Sequence, residues 1–249
     1  MGETLDHLKT PEAHRDFSST LALEFAAQVK DLVEAHGGAL VYSGGDDVLA
    51  LLPLHKALMA AKALAKHFQE VMVRLGGPGK APSLSVGLAV VHHLEPLQDA
   101  LDLARRAEKR AKEEEPKRNA LCVAYSPRSG SERMVRGRWD EDPPLTRRLL
   151  RYADLQRAGE VPSRAAYELW ALVREVGEAF PDEALVAEAL RLLGRREMKP
   201  AYREELGSWI RTGADVRCLA EELLLARPFA EALDQAGVPV ESREVWDAH

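Results

Sequence analysis

Four residues, Gly44-Gly45-Asp46-Asp47, stand between two short apolar runs, 39–42 and 48–52, and Pro53 closes the second run. Apolar runs of this length bounded by glycine and proline read as strands. Glycine and aspartate between them read as a tight turn, so the pair is expected to form a β-hairpin. Two carboxylates at such a turn offer hard oxygen ligands to Mg²⁺ or Mn²⁺. Two adjacent glycines let a phosphate approach the backbone. The same residues also suit an ordinary hairpin turn, and the turn alone leaves both readings open.

The flanking segments give the hairpin a context. Thr10 and Pro11 suit a helix start, and Phe17, Leu21, Phe25, Val29 and Leu32 then share one face. Gly37-Gly38 ends that helix. Leu54, Leu58, Ala61, Leu64, Phe68, Val71 and Leu75 mark a second helix. A glycine/proline loop over 76–82 leads to a strand over 84–91. Leu97, Leu101, Ala104, Ala107 and Ala111 mark a third helix running into the charged segment 112–118, and 120–125 is a further strand. The order is α-β-β-α-β-α-β. Residues 127–138 are polar and basic and read as a linker. Amphipathic helices follow, one beginning at Leu145, Leu149 and Tyr152 and others over 165–179, 182–193, 202–211 and 215–225. A boundary is placed at Gly137, dividing the chain into 1–137 and an all-α part, 138–249.

Composition limits the function classes. The net charge of -6 argues against wrapping nucleic acid by bulk electrostatics. Cys122 and Cys218 are the only cysteines, which excludes a disulfide framework and a four-cysteine zinc site. No apolar stretch is long enough to span a membrane and no signal peptide is visible, so a soluble, cytoplasmic protein is expected. His92 and His93 are adjacent at a strand end and are expected to point to opposite faces, a polar exit rather than a metal pair. His14 reads as a packing or hydrogen-bonding residue. Arg128, Arg133, Arg136 and Arg138 are either a contact for RNA phosphates or a solvated cluster.

Residues 40–53 resemble the central hairpin of the GGDEF/palm cyclase superfamily. Ser85, Gly87 and Ala89 resemble its later S-x-G-x-A strand, and Asn119 resembles the asparagine that opens its final strand. Residues 104–112 look like its last helix, from which a lysine reaches the triphosphate; Lys112 takes that place, with Lys109 as the rival because the spacing to Asn119 is longer than in the GGDEF pattern. Asp47 and Val48 stand where that pattern has Glu and Phe, and Pro11, His14 and Ser18 match P-x-x-H-x-x-x-S. These features are similar to the large subunit of type III CRISPR effector complexes, Cmr group.

The resemblance implies an α+β fold: a ferredoxin-like palm domain followed by a helical domain. It implies ATP as substrate, Mg²⁺ or Mn²⁺ as cofactor, and synthesis of cyclic oligoadenylate in the complex. Asp46 and Asp47 would be the catalytic metal ligands. Ser43, Gly44, Gly45, Lys112 and Ser18 would bind the nucleotide. The implied partners are other effector subunits, guide and target RNA through the complex, and the upstream part of the same large subunit, with no membrane. The family's palm opens with a strand ending in D-x-D-x-M-G, of which Met1-Gly2 matches only the tail. The first palm strand is therefore expected to be missing, leaving unpaired strand edges, and the chain is expected to be a piece of a longer polypeptide. Two other readings remain open: a GGDEF-type diguanylate cyclase acting on GTP, and a non-catalytic scaffold.

Overall fold

Phe17, Leu21, Phe25, Val29 and Val33 recur at every fourth residue, and all are buried. An α-helix advances about 100° per residue, so a strict four-residue repeat drifts about 40° at each step. The chain absorbs this drift with a wider turn. In the computed structural model, which describes residues 10–45, 47–76, 81–128, 131–176, 180–194 and 198–240, α1 (Pro11–Thr20) passes through a π-helical segment (Leu21–Ala26) into α2 (Ala27–Ala35). The π turn winds the stripe back toward the core. Val33 ends the buried stripe, and the expected Leu32 packs on its flank. The Gly38 amide donates to the Val33 carbonyl at 2.9 Å and the Gly37 amide to the Glu34 carbonyl at 2.8 Å, a Schellman closure of α2.

Strands β1 (Ala39–Gly44) and β2 (Asp47–Leu51) follow as an antiparallel hairpin, then α3 (Leu54–Gly76). The helical stripe and Leu64, Phe68, Val71 and Met72 of α3 form one core cluster. Phe68 meets Phe25 edge-on with ring centroids 5.0 Å apart. Leu40, Val48, Ala50 and Leu52 of the hairpin segment pack against this cluster. Beyond it come β3 (Val86–Val90), α4 (Leu97–Glu113), β4 (Ala120–Tyr125) and β5 (Arg133–Arg138).

Segment 127–138 is thus not simply a linker. Its second half is a strand pairing with β4, in the order β3-β4-β5. Val135 and Gly137 are buried and Arg136 and Arg138 are less so, the two-residue period of a strand. The hairpin β1-β2 is a separate sheet. Among the described residues the strands therefore fall into two sheets.

The S-x-G-x-A glycine has a packing role. A Cβ on Gly87 would lie 2.5 Å from the Ala104 carbonyl oxygen and 2.8 Å from the Glu108 Cα. Both are backbone atoms of α4, so no rotamer change relieves the contact.

The chain divides into two compact units, Met1–Leu88 with Leu97–Cys122, and Ala89–Pro96 with Val123–His249. The second carries α5 (Leu145–Arg157), α6 (Ser163–Val176), α7 (Asp182–Gly194), α8 (Pro200–Trp209) and α9 (Gly213–Gln235). A Thr212/Asp215 capping box starts α9. This helix packs against α5, α6, α7 and β5. It outruns the expected end at 225 and continues through Pro228, because Phe229, Ala230 and Leu233 are buried beyond it. Charges are buried here too. Arg151 donates from Nη2 to Glu205 at 2.7 Å, with the two side chains 4% and 5% exposed. Arg148 donates to the buried Glu222 at 2.8 Å, and Arg157 to the buried Asp154 at 2.9 Å. Among the described residues, no helix is long and apolar enough to cross a membrane.

Two stability predictions follow from this packing. Gly87→Ala lowers stability by roughly 1–3 kcal/mol in urea unfolding; an unchanged midpoint would refute the direct contact of β3 with α4. Glu205→Leu, which strands Arg151, costs about 3–5 kcal/mol, whereas Arg151→Met with Glu205→Leu recovers most of that loss. Equal losses for the single and double variants would show that burial of an unpaired charge is not the cause.

Candidate functional site

The hairpin is irregular in one place. Ala39 pairs with Leu51 and Leu40 with Ala50, but Tyr42 pairs with Leu49 and Ser43 with Val48, so Val41 is an extra residue in β1. Side chains alternate across a strand, and a bulge inverts the alternation beyond it. Ser43 therefore shares the core side with Leu40, Val48 and Ala50. Tyr42, Gly44 and Asp47 share the opposite side with Leu49 and Leu51. Exposure agrees: Tyr42 is 57% and Leu51 54% exposed, and Asp47 is exposed. The Ser43 hydroxyl, expected to face a nucleotide, is buried with no hydrogen-bond partner among the described residues.

Gly44 pairs with Asp47 across the turn. Gly45 has φ 64°, the left-handed region. Both primed two-residue turns need a positive φ at this position, and glycine supplies it without strain. Apart from its chain neighbours, no described atom lies within 4 Å of where a Gly45 Cβ would be, so that side of Gly45 is open space. Asp46 lies outside the described residues, as does the side chain of His14. Among the described residues no three His, Cys, Asp or Glu side chains gather as a metal site. The donors fit Mg²⁺ or Mn²⁺ in kind: a hard carboxylate at Asp47 beside open backbone at Gly45.

The other expected nucleotide contacts sit on other elements. Ser18 is exposed on α1, before the π-helical segment. Lys112 is exposed in the last turn of α4, its ammonium 2.5 Å from Glu108. The rival Lys109 reaches Glu113 on the same helix at 3.8 Å.

Two expectations about basic groups change. The His92 and His93 rings are 4.2 Å apart rather than on opposite faces. β3 ends at Val90, so both lie in the turn beyond it, where strand alternation no longer applies. Partial desolvation, then His93 and Arg128, hold the His92 imidazole below its ordinary pKa. In the basic cluster, Arg133 donates to Glu221 at 2.9 Å and lies over the Trp170 ring at 5.0 Å. Arg138 donates twice to Asp140 at 2.7 Å.

Residues 1–122 match the family model described as Cas10/Cmr2, second palm domain. The chain carries a Cas10/Cmr2-type second palm domain. The match covers the hairpin, β3 and α4, and ends where the first compact unit ends, at Cys122. The chain is also 32% identical over 206 residues to the CRISPR system Cmr subunit Cmr2 of Pyrococcus furiosus. That alignment covers 80% of this chain and 23% of the relative, so the chain spans about a quarter of the curated protein it matches. Being longer than the palm match, it extends into the second unit.

Tyr42 also stands on the Asp47 face of the hairpin. Its aromatic ring lay in plain view beside the turn, but only the bulge places it on the face with Asp47.

The turn geometry is open to test. Gly45→Ala forces an L-residue to φ 64° and costs about 1 kcal/mol, measured in urea unfolding. Gly45→Asn, which tolerates the left-handed region, loses less. Equal stability of the Ala variant would show that the turn takes another form.

Proposed function

We propose that the palm domain binds ATP with Mg²⁺ or Mn²⁺ at the Gly44–Asp47 turn, as part of a type III CRISPR effector that makes cyclic oligoadenylate. The observation that carries this reading is the exposed Asp47 carboxylate beside the open, left-handed backbone of Gly45. Asp46 and Asp47 would hold the metal. When bound, the metal supplies charge neutralisation for attack of a 3′-hydroxyl on an α-phosphate, with pyrophosphate leaving. Amides around Gly44 and Gly45 face the phosphates, as short backbone concavities do for anions. Lys112 adds a positive charge; its partner Glu108 is exposed, and exposed pairs hold a side chain only weakly. Ser18 contributes a hydroxyl from α1.

In this proposal residues 1–137 form the catalytic domain. Residues 138–249 dock other effector subunits, and guide and target RNA are met through the complex in the cytoplasm. The upstream part of the same large subunit supplies the second nucleotide. A second reading is a scaffold without chemistry, which agrees with the two separate sheets among the described residues.

Isothermal titration separates the two. The expected outcome is metal-dependent binding of ATP in preference to GTP, lost in Asp46→Ala/Asp47→Ala. Binding of GTP in preference to ATP would favour the diguanylate-cyclase reading. No nucleotide binding at all would leave scaffolding.

A further inference from the structure

Tyr42 follows Leu40 by two residues, and in a regular strand it would share the core side with Leu40. The extra residue at Val41 turns it to the face that carries Gly44 and Asp47. Exposing an aromatic ring that regular pairing would bury forgoes the hydrophobic stabilisation of burying it. Bulges that re-aim a side chain in this way occur beside active sites.

The ring does not simply project into solvent. It leans along β1 toward the turn and lies over Gly44. A Cβ on Gly44 would overlap the phenol oxygen and sit 2.6 Å from Cζ and 3.1 Å from Cε1. Gly44 is directly opposite Asp47, and paired strands lie about 5 Å apart. The hydroxyl is thus held over the glycine that faces the described carboxylate, on the same side of the hairpin. With the residue 57% exposed, an incoming molecule can reach it.

We propose that Tyr42 is a nucleotide-binding residue, its hydroxyl donating a hydrogen bond to a phosphate oxygen of the nucleoside triphosphate at Asp47. The proposal rests on the ATP reading above. It also gives Gly44 a role distinct from that of Gly45: Gly45 supplies the turn conformation, and Gly44 supplies room for the Tyr42 ring.

The test is titration of the full chain with ATP and Mn²⁺, comparing the unmodified protein with Tyr42→Phe and Asp47→Ala. A urea unfolding midpoint is recorded for each. Tyr42→Phe keeps the ring and removes only the hydroxyl. It is expected to weaken ATP binding about tenfold or more without moving the midpoint, and to weaken any GTP binding by the same factor, because phosphates are common to both. Unchanged or tighter binding by Tyr42→Phe, while Asp47→Ala loses it, would overturn the role of Tyr42 and leave the ATP reading standing. Weaker binding accompanied by a lower midpoint would assign the effect to packing and overturn it too. Absence of metal-dependent binding by the unmodified chain would remove the ATP reading, and Tyr42's role with it.

Discussion

The register in which β1 pairs with β2 decides what the hairpin presents. Strand side chains alternate, so a one-residue shift exchanges core and solvent faces. With Leu40 opposite Ala50, Val48 and Ala50 cover the Phe25–Phe68 cluster while Asp47 stays in solvent, and the extra residue at Val41 puts Tyr42 rather than Ser43 on the Asp47 side. Were the strands to slip by one position, Asp47 would turn toward that cluster, and an unpaired carboxylate there is prohibitively costly. The apolar contacts of the hairpin and the exposure of its carboxylate are therefore one constraint, imposed by a single register. The Ser43 hydroxyl, without a partner among the described residues, is turned inward by the same bulge that frees Tyr42.

Elsewhere the two units are held together internally by different means. In the first, close backbone approach and a long apolar stripe dominate. Gly87 lets β3 rest on the α4 backbone, and the π-helical segment keeps Leu21 and Phe25 facing the core. In the second, arginine-carboxylate pairs are buried among the helices. Arg148–Glu222 and Arg151–Glu205 link α5 to α9 and α8. Buried pairs of this kind contribute little net stability, but each member depends on the other. They fix which helix faces which more than they strengthen the core.

The elements were largely legible in the sequence because their signals are local. Thr10-Pro11, Gly37-Gly38 and the apolar periodicities mark helix ends and faces, and the glycine-aspartate turn marks the hairpin. What escaped was set by tertiary context. β5 was hidden because its arginines read as a solvated linker, yet Arg133 finds Glu221 and Trp170, which lie far along the chain. Pro228 would end an isolated helix, but the buried residues beyond it carry α9 onward. The site residues of the turn were visible as residue types. Which of them face solvent was not, because a bulge leaves no mark in a continuous apolar run such as 39–42.

The charge balance bears on how this chain can recognise phosphate at all. Its net charge is -6, and arginines that composition alone would offer to nucleic acid are engaged internally. Arg133, Arg138, Arg148, Arg151 and Arg157 each meet a carboxylate within the second unit. Bulk attraction therefore contributes little, and a phosphate ligand needs a locally built site. In the proposed reading the hairpin would supply the elements of one: backbone at Gly45, a carboxylate suited to a divalent ion at Asp47, and a neutral donor at Tyr42. A site of that kind would favour a compact, metal-carrying triphosphate over an extended polyanion, because its affinity would come through the ion and a few directed hydrogen bonds rather than through many lysine and arginine contacts.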